Sequence, residues 1–115
     1  MRMNELFASL FEACAAAPGA LGCGVCLPNH ARCVRSYHQD CTNASLEKTL
    51  LDLSGAVALL AGHDLTGHRL AWTFATGKIF LATRPDGALF CLVTRAKADA
   101  GEFFDQMTAQ FLDAA

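Results

Sequence analysis

Two neighbouring segments in the second half of the chain, Lys78-Ile-Phe-Leu-Ala-Thr83 and Ala88-Leu-Phe-Cys-Leu-Val-Thr94, are apolar at both odd and even positions. In the first, Ile79 and Leu81 oppose Phe80 and Ala82; in the second, Leu89, Cys91 and Val93 oppose Phe90 and Leu92. Successive side chains on a strand point to opposite faces, so neither segment fits a sheet with one wet side. Both faces need cover, and only helices can supply it here. The stretch from Arg69 to Ala75 also reads as a strand, but it does not share this apolar character on both faces. Turn chemistry at Thr76-Gly77 and at Arg84-Pro85-Asp86-Gly87 joins the three strands into a meander.

The rest of the chain provides the covering layers. Met3, Leu6, Phe7, Leu10, Phe11 and Cys14 recur at helical spacing, and Pro18-Gly19 ends that helix. Residues 20–27 read as a strand whose glycines imply that a helix or another backbone lies close against it. Pro28-Asn29-His30 turns the chain into a second strand over 31–37, completing a hairpin. A long Leu/Ala-rich helix follows from Ser45 to Gly62, capped by Asn43 or Ser45. A last helix, announced by Asp99 and Glu102, carries an apolar stripe of Phe103, Phe104, Met107, Phe111 and Leu112. The expected order is helix, two strands, helix, three strands, helix. At 115 residues, with 53% apolar content and no internal repeat, residues 1–115 are expected to form one domain.

Composition narrows the function classes. No apolar run approaches the roughly 20 residues needed to span a bilayer. The opening Met1-Arg2-Met3-Asn4-Glu5-Leu6-Phe7 lacks the apolar core of a secretory signal, so a cytoplasmic location is expected. The net charge is −2, and Arg32, Arg35, Arg69, Arg84, Arg95 and Lys97 are dispersed rather than striped. This pattern gives no electrostatic footprint for nucleic acid or an anionic membrane. There is no Gly-x-x-x-x-Gly-Lys-Ser/Thr phosphate loop, and no nucleophile-elbow pattern surrounds Ser54. His30, His38, His63 and His68 fall in turns or at element ends, where histidine is usually only solvated. The chain is expected to act without catalysis and without a cofactor.

The long helix carries a second signal. At about 100° per residue, Leu46, Leu50, Leu53, Val57, Leu60 and Ala61 form a core face. Leu51, Gly55, Ala58 and Gly62 form another stripe. A glycine inside a helix costs roughly 1 kcal/mol relative to alanine, so small residues at this spacing point to a close helix contact. The simplest is the same helix of a second copy across a two-fold axis. Deep burial within one chain, with Gly62 as a C-cap, would also account for the pattern. Trp72 and Tyr37 are contact candidates, since aromatic residues are enriched at interfaces; core packing is open for Trp72.

Six cysteines form the other conspicuous feature, four of them within Cys23–Cys41. Zinc requires four ligands held tetrahedrally, and Cys23, Cys26, Cys33 and Cys41 would be the candidates, with Cys23-x-x-Cys26 as half of the site. Against this, Cys23 and Cys26 point to opposite faces of a flat strand, and the Cys33 to Cys41 spacing matches no standard knuckle. Cysteine also serves as a small buried hydrophobe, and Cys23, Cys33 and Cys91 sit where a sheet core would accept valine. Thiol redox chemistry at Cys23-Gly-Val-Cys26 lacks the helix N-terminus that lowers a thiol pKa. Cys41, in a polar connection, is expected to be the most exposed thiol.

Taken along the chain, Gly22-Cys-Gly-Val-Cys-Leu-Pro-Asn29, Ala31-Arg-Cys-Val-Arg-Ser36, the helix from Ser45 and the meander from Arg69 to Arg95 with its turns resemble the roadblock (dynein light chain-like) domains, related to longin and profilin folds. The resemblance implies an α+β layered fold: a five-stranded antiparallel sheet with the central helix on one face and the terminal helices on the other. It further implies a homodimer pairing central helices and edge strands through Leu51, Gly55, Ala58, Gly62, Arg69, Ala71 and Thr73. The implied role is that of a small scaffold or regulator whose protein partner is a Ras-like small GTPase or a signalling complex. Some regulators insert an arginine into a GTPase site, for which Arg35 or Arg84 would be the candidates here. A small-ligand sensor of profilin-like or PAS-like type is the remaining alternative, with no polar cluster to mark it.

Overall fold

The computed structural model describes residues 3–29, 31–61, 70–73 and 77–113. Their elements run α1 (Met3–Leu6), α2 (Ala8–Cys14), β1 (Ala20–Cys26), β2 (Arg32–Ser36), α3 (Asn43–Ala61), β3 (Leu70–Thr73), β4 (Lys78–Thr83), β5 (Leu89–Thr94) and α4 (Gly101–Asp113). The strands form one antiparallel sheet in the order β2-β1-β5-β4-β3. The two doubly apolar strands, β4 and β5, occupy inner positions, as their sequences require. The link through α3 carries the chain from one sheet edge, β2, to the other, β3. No described helix is long and apolar enough to cross a membrane.

Two apolar clusters divide the sheet. On one face Phe7, Leu10, Phe11, Cys14, Cys23, Val25, Phe80, Ala82, Phe90, Leu92, Phe104 and Phe111 pack together beneath α1, α2 and α4. On the other, Cys26, Leu81, Leu89 and Cys91 meet Leu50 and Leu53 of α3. Along β4 and β5, Phe80, Ala82, Phe90 and Leu92 fall to the first cluster and Leu81, Leu89 and Cys91, with Ile79 at the margin, to the second. The first is built around aromatic rings: Phe90 lies 5.3 Å from Phe104 and 5.4 Å from Phe111, and Phe104 stacks on Phe80 at 5.2 Å. Offset arrangements at these separations add to burial itself.

The β1 glycines set how closely α3 approaches. A Cβ at Gly22 would sit 2.7 and 2.9 Å from the Leu46 methyls, and one at Gly24 would sit 2.7 Å from Leu50 Cδ1 and 3.0 Å from Val34 Cγ1. The expected close approach is thus the packing of α3 leucines onto bare backbone. Leu46 and Leu50 are fully enclosed, which leaves no room to yield. Gly24→Val should destabilise the fold by about 1–3 kcal/mol through overpacking, read as a lowered urea midpoint; an unchanged midpoint would contradict this contact.

Local chemistry explains the remaining boundaries. The turn between β4 and β5 closes with the Gly87 N–H bonded to the Arg84 carbonyl at 2.9 Å, and Gly87 takes φ 97°, which glycine adopts without strain. Asp86 Oδ1 accepts the Ala88 N–H at 2.9 Å. The α3 cap is neither Asn43 nor Ser45: Thr42 Oγ1 accepts the Ser45 N–H at 3.1 Å. Asn43 instead accepts the Ser36 N–H of the β2 edge. The amino-terminal helix is split where Phe7 leaves helical geometry (φ −106°, ψ 8°) with its ring buried against Phe11 and Phe111. In α4, Leu112 is not part of the buried stripe but 47% exposed; Thr108 is buried in its place, its hydroxyl donating to the Phe104 carbonyl at 2.8 Å.

Candidate self-association surface

The inner face of α3 is as the periodicity predicts: Leu46, Leu50 and Leu53 are buried and Val57 packs at the margin. The second stripe is not buried within the chain. Leu51 is 57% exposed, Gly55 and Ala58 are exposed, and a Cβ at Gly55 would meet no atom within 4 Å. Leu59, 68% exposed, belongs to the same stripe and is missing from the sequence assignment. Its position eight residues after Leu51 and four after Gly55 was the available signal. Beyond Asp52, α3 carries no charged residue through Ala61. On β3, an edge strand, Ala71 and Thr73 are also exposed. Gly62 and Arg69 lie outside the described residues, as do His30, His63, His68 and the side chains of Leu60, Ala61 and Trp72.

The opposite helical layer has a different character. Helices α1, α2 and α4 carry Glu5, Glu12, Glu102, Asp105 and Asp113 and not one lysine or arginine. A two-fold contact through that layer would set like charges against each other. The same contact through the carboxyl-terminal half of α3 would bring together apolar and small side chains. Of the two helical layers, only the carboxyl-terminal half of α3 presents an exposed face without charge.

Neither candidate arginine projects into solvent as a free cation. The Arg84 side chain is 12% exposed, bonds the Asp86 carboxylate at 2.7 Å, donates to the Phe111 carbonyl at 3.3 Å and lies 5.1 Å over the Phe111 ring. It neutralises carbonyl charge at the end of α4, and its hydrogen bonds hold the Asp86 carboxyl below its usual range. Arg35 rests 5.5 Å over the Phe11 ring. His38 sits between the Asp40 carboxylate at 3.3 Å and the Arg95 guanidinium at 3.0 Å, a bridge on the surface.

The thiols do not converge into the four-ligand site considered from the sequence. Cys23 faces the aromatic cluster and Cys26 faces α3, because three residues along a strand reverse the side-chain direction. Among the described residues, no group of three His, Cys, Asp or Glu side chains is placed to hold a metal ion. Cys41, expected to be the most exposed thiol, is 8% exposed. The Ser36 hydroxyl donates to its carbonyl, folding residues 38–41 inward, and the half-buried thiol is Cys33. Burial pushes the thiols of Cys26, Cys33, Cys41 and Cys91 up, away from nucleophilic character. Tyr37 is likewise not an outward contact: its hydroxyl donates to the Phe11 carbonyl and lies 3.1 Å from Cys23 Sγ.

Sheet order, the helix layers on its two faces and the long crossover helix together define a roadblock/LC7-like fold. Among solved structures, the gliding protein MglB from Thermus thermophilus superposes with a TM-score of 0.76 at 12% identity, covering 96% of this chain and 85% of that one. A roadblock/LC7 domain from Streptomyces avermitilis gives 0.65 at 15% identity, covering 95% and 91%. An MglB with a tetrameric arrangement gives 0.67 at 14% identity, covering 96% and 85%. No family model and no curated protein matches the chain by sequence.

Proposed function

We propose that residues 1–115 form a single, non-enzymatic domain that works as a homodimeric scaffold or regulator in the cytoplasm, binding a Ras-like small GTPase. The observation that carries this reading is the uncharged, exposed stripe of Leu51, Gly55, Ala58 and Leu59 on the helix whose other side closes the core. Isolated exposed leucines are ordinary, but a contiguous apolar patch on one helix face marks an interaction surface. In the dimer, Ala71 and Thr73 of β3 extend the seam, with Gly62 and Arg69 completing it. Pairing the two β3 edges would also satisfy their outer backbone groups.

The GTPase partner is what the roadblock resemblance implies, and the shared fold with a gliding protein and with an MglB in a tetrameric arrangement is in keeping with a role in a protein assembly. Arg35 and Arg84 are engaged with phenylalanine rings, so the proposed contact with a GTPase does not rest on either of them as an inserted arginine.

Purified Ras-like GTPases of the source organism, loaded with GDP or a non-hydrolysable GTP analogue, should be titrated with the reduced protein and followed by calorimetry and light scattering. Saturable binding of one nucleotide state at two chains of this protein per complex is the expected result. Binding of neither state by any of them would overturn the assignment of partner, and a single chain in solution would overturn the dimer.

A further inference from the structure

On the aromatic face of the sheet, α4 lies over β4 and β5. Beside it runs the edge strand β3, whose Ala71 and Thr73 pair with Phe80 and Lys78 and so share their face. Both are small and exposed, too short to fill the space next to the helix. The result is a groove of about 220 Å³, open to solvent and lined by Leu70, Ala71, Phe80, Gly101, Phe104 and Asp105. Its floor is aromatic, since Phe80 and Phe104 belong to the buried cluster. Its α4 wall is bare at Gly101, where a Cβ would meet no atom within 4 Å. Pockets that enclose a whole small ligand run to roughly 300–1,000 Å³, so this groove has room for a side chain or two.

Two further features of α4 indicate what fits. At about 3.6 residues per turn, Gly101, Asp105 and Leu112 fall on one side of the helix, and Leu112 is an apolar side chain 47% exposed. Asp105 and Leu112 are separated by about 10 Å along the axis, the spacing of i and i+7 anchors on a second helix laid against this one. The rim is acidic: Glu102 and Asp105 stand within a helical layer that also holds Glu5, Glu12 and Asp113 and no lysine or arginine. Lys78, on the same sheet face, turns its ammonium to the Ala98 carbonyl at 3.1 Å. Such a layer repels the phosphates of nucleic acids and anionic lipids and attracts cationic side chains. We propose that this groove docks a cationic amphipathic helix of a partner protein, which sets one apolar side chain between β3 and α4 and a second, about two turns on, against Leu112. The surface is built on the aromatic cluster, across the sheet from α3, and does not depend on the α3 stripe.

The probes are two fluorescent peptides patterned as amphipathic helices, one of leucine and lysine and its counterpart with glutamate in place of lysine. Each is titrated into the reduced full chain, and the bound state is mapped by amide chemical shifts. The leucine–lysine peptide should bind saturably, with shifts at Ala71, Phe80, Gly101 and Leu112, and the glutamate peptide should bind roughly a hundredfold more weakly. Gly101→Leu fills the groove from a position where the fold leaves open space, and Leu112→Ser removes the second contact; each should lower the affinity about tenfold while far-UV circular dichroism stays that of the parent. Absence of saturable binding, equal binding of the two peptides, unchanged affinity in both variants, or shifts centred on Leu51, Gly55 and Leu59 instead would overturn the proposal.

Discussion

Replacing Phe90 by alanine should cost about 3–5 kcal/mol, a large share of the roughly 5–15 kcal/mol that holds a domain of this size folded. The side chain is fully buried on central strand β5, with the rings of Phe104 and Phe111 at 5.3 and 5.4 Å. Its removal opens a cavity under α4 and takes away the two ring contacts that orient that helix. Because Phe104 also stacks on Phe80 and Phe111 also packs on Phe7, the loss spreads through the cluster instead of staying local. Chemical unfolding followed by near-UV circular dichroism measures it. Phe90→Leu, which keeps most of the volume, should lose clearly less. Equal losses for the two variants would mean that cavity and ring contacts are not what Phe90 contributes.

The second large effect concerns association. Leu51→Asp combined with Leu59→Asp should weaken self-association by about a thousandfold, roughly 4 kcal/mol, because a two-fold seam brings like charges into a desolvated contact. Each side chain is more than half exposed within a single chain, so the unfolding free energy extrapolated to the monomer should stay within about 0.5 kcal/mol of the parent. Gly55→Leu makes a sharper version of the same test. The chain itself has open space at Gly55, and leucine is the better helix former. The variant should fold at least as well as the parent and fail only to dimerise. Sedimentation of parent and variants gives the answer directly: a variant that keeps twice the chain mass places the seam elsewhere.

Both predictions rest on patterns of different legibility. The doubly apolar strands β4 and β5 were readable from sequence because alternation has a fixed period of two and because nothing but helices was available to cover both faces. The closeness of α3 to β1 was readable from Gly22 and Gly24, since glycine in a strand interior is otherwise a cost. The small-residue stripe on α3 was readable from helical periodicity, although Leu59 was not assigned to it. Other features were not open to such reading. The inward turn of Cys41, the cap at Thr42 rather than Asn43 or Ser45, and the burial of Thr108 in place of Leu112 each depend on a hydrogen bond or packing contact made with a neighbour whose position is set by the whole fold.

The arginines and cysteines show the boundary most clearly. From sequence alone, Arg84 is a charged residue beside a turn; in the fold the end of α4 lies within reach, and its guanidinium is occupied by Asp86, the Phe111 carbonyl and the Phe111 ring. Sequence proximity offered Cys23 and Cys26 as a pair, but the strand pleat sends them to opposite layers, and Cys23 joins the buried cluster that also holds Cys14 of α2. What the sequence determined by itself is the set of elements and their apolar faces, because periodicity and turn chemistry are local. Which side chains meet across those faces was decided only by tertiary packing, because such contacts join residues far apart in the chain through the relative placement of layers, on which local pattern is silent.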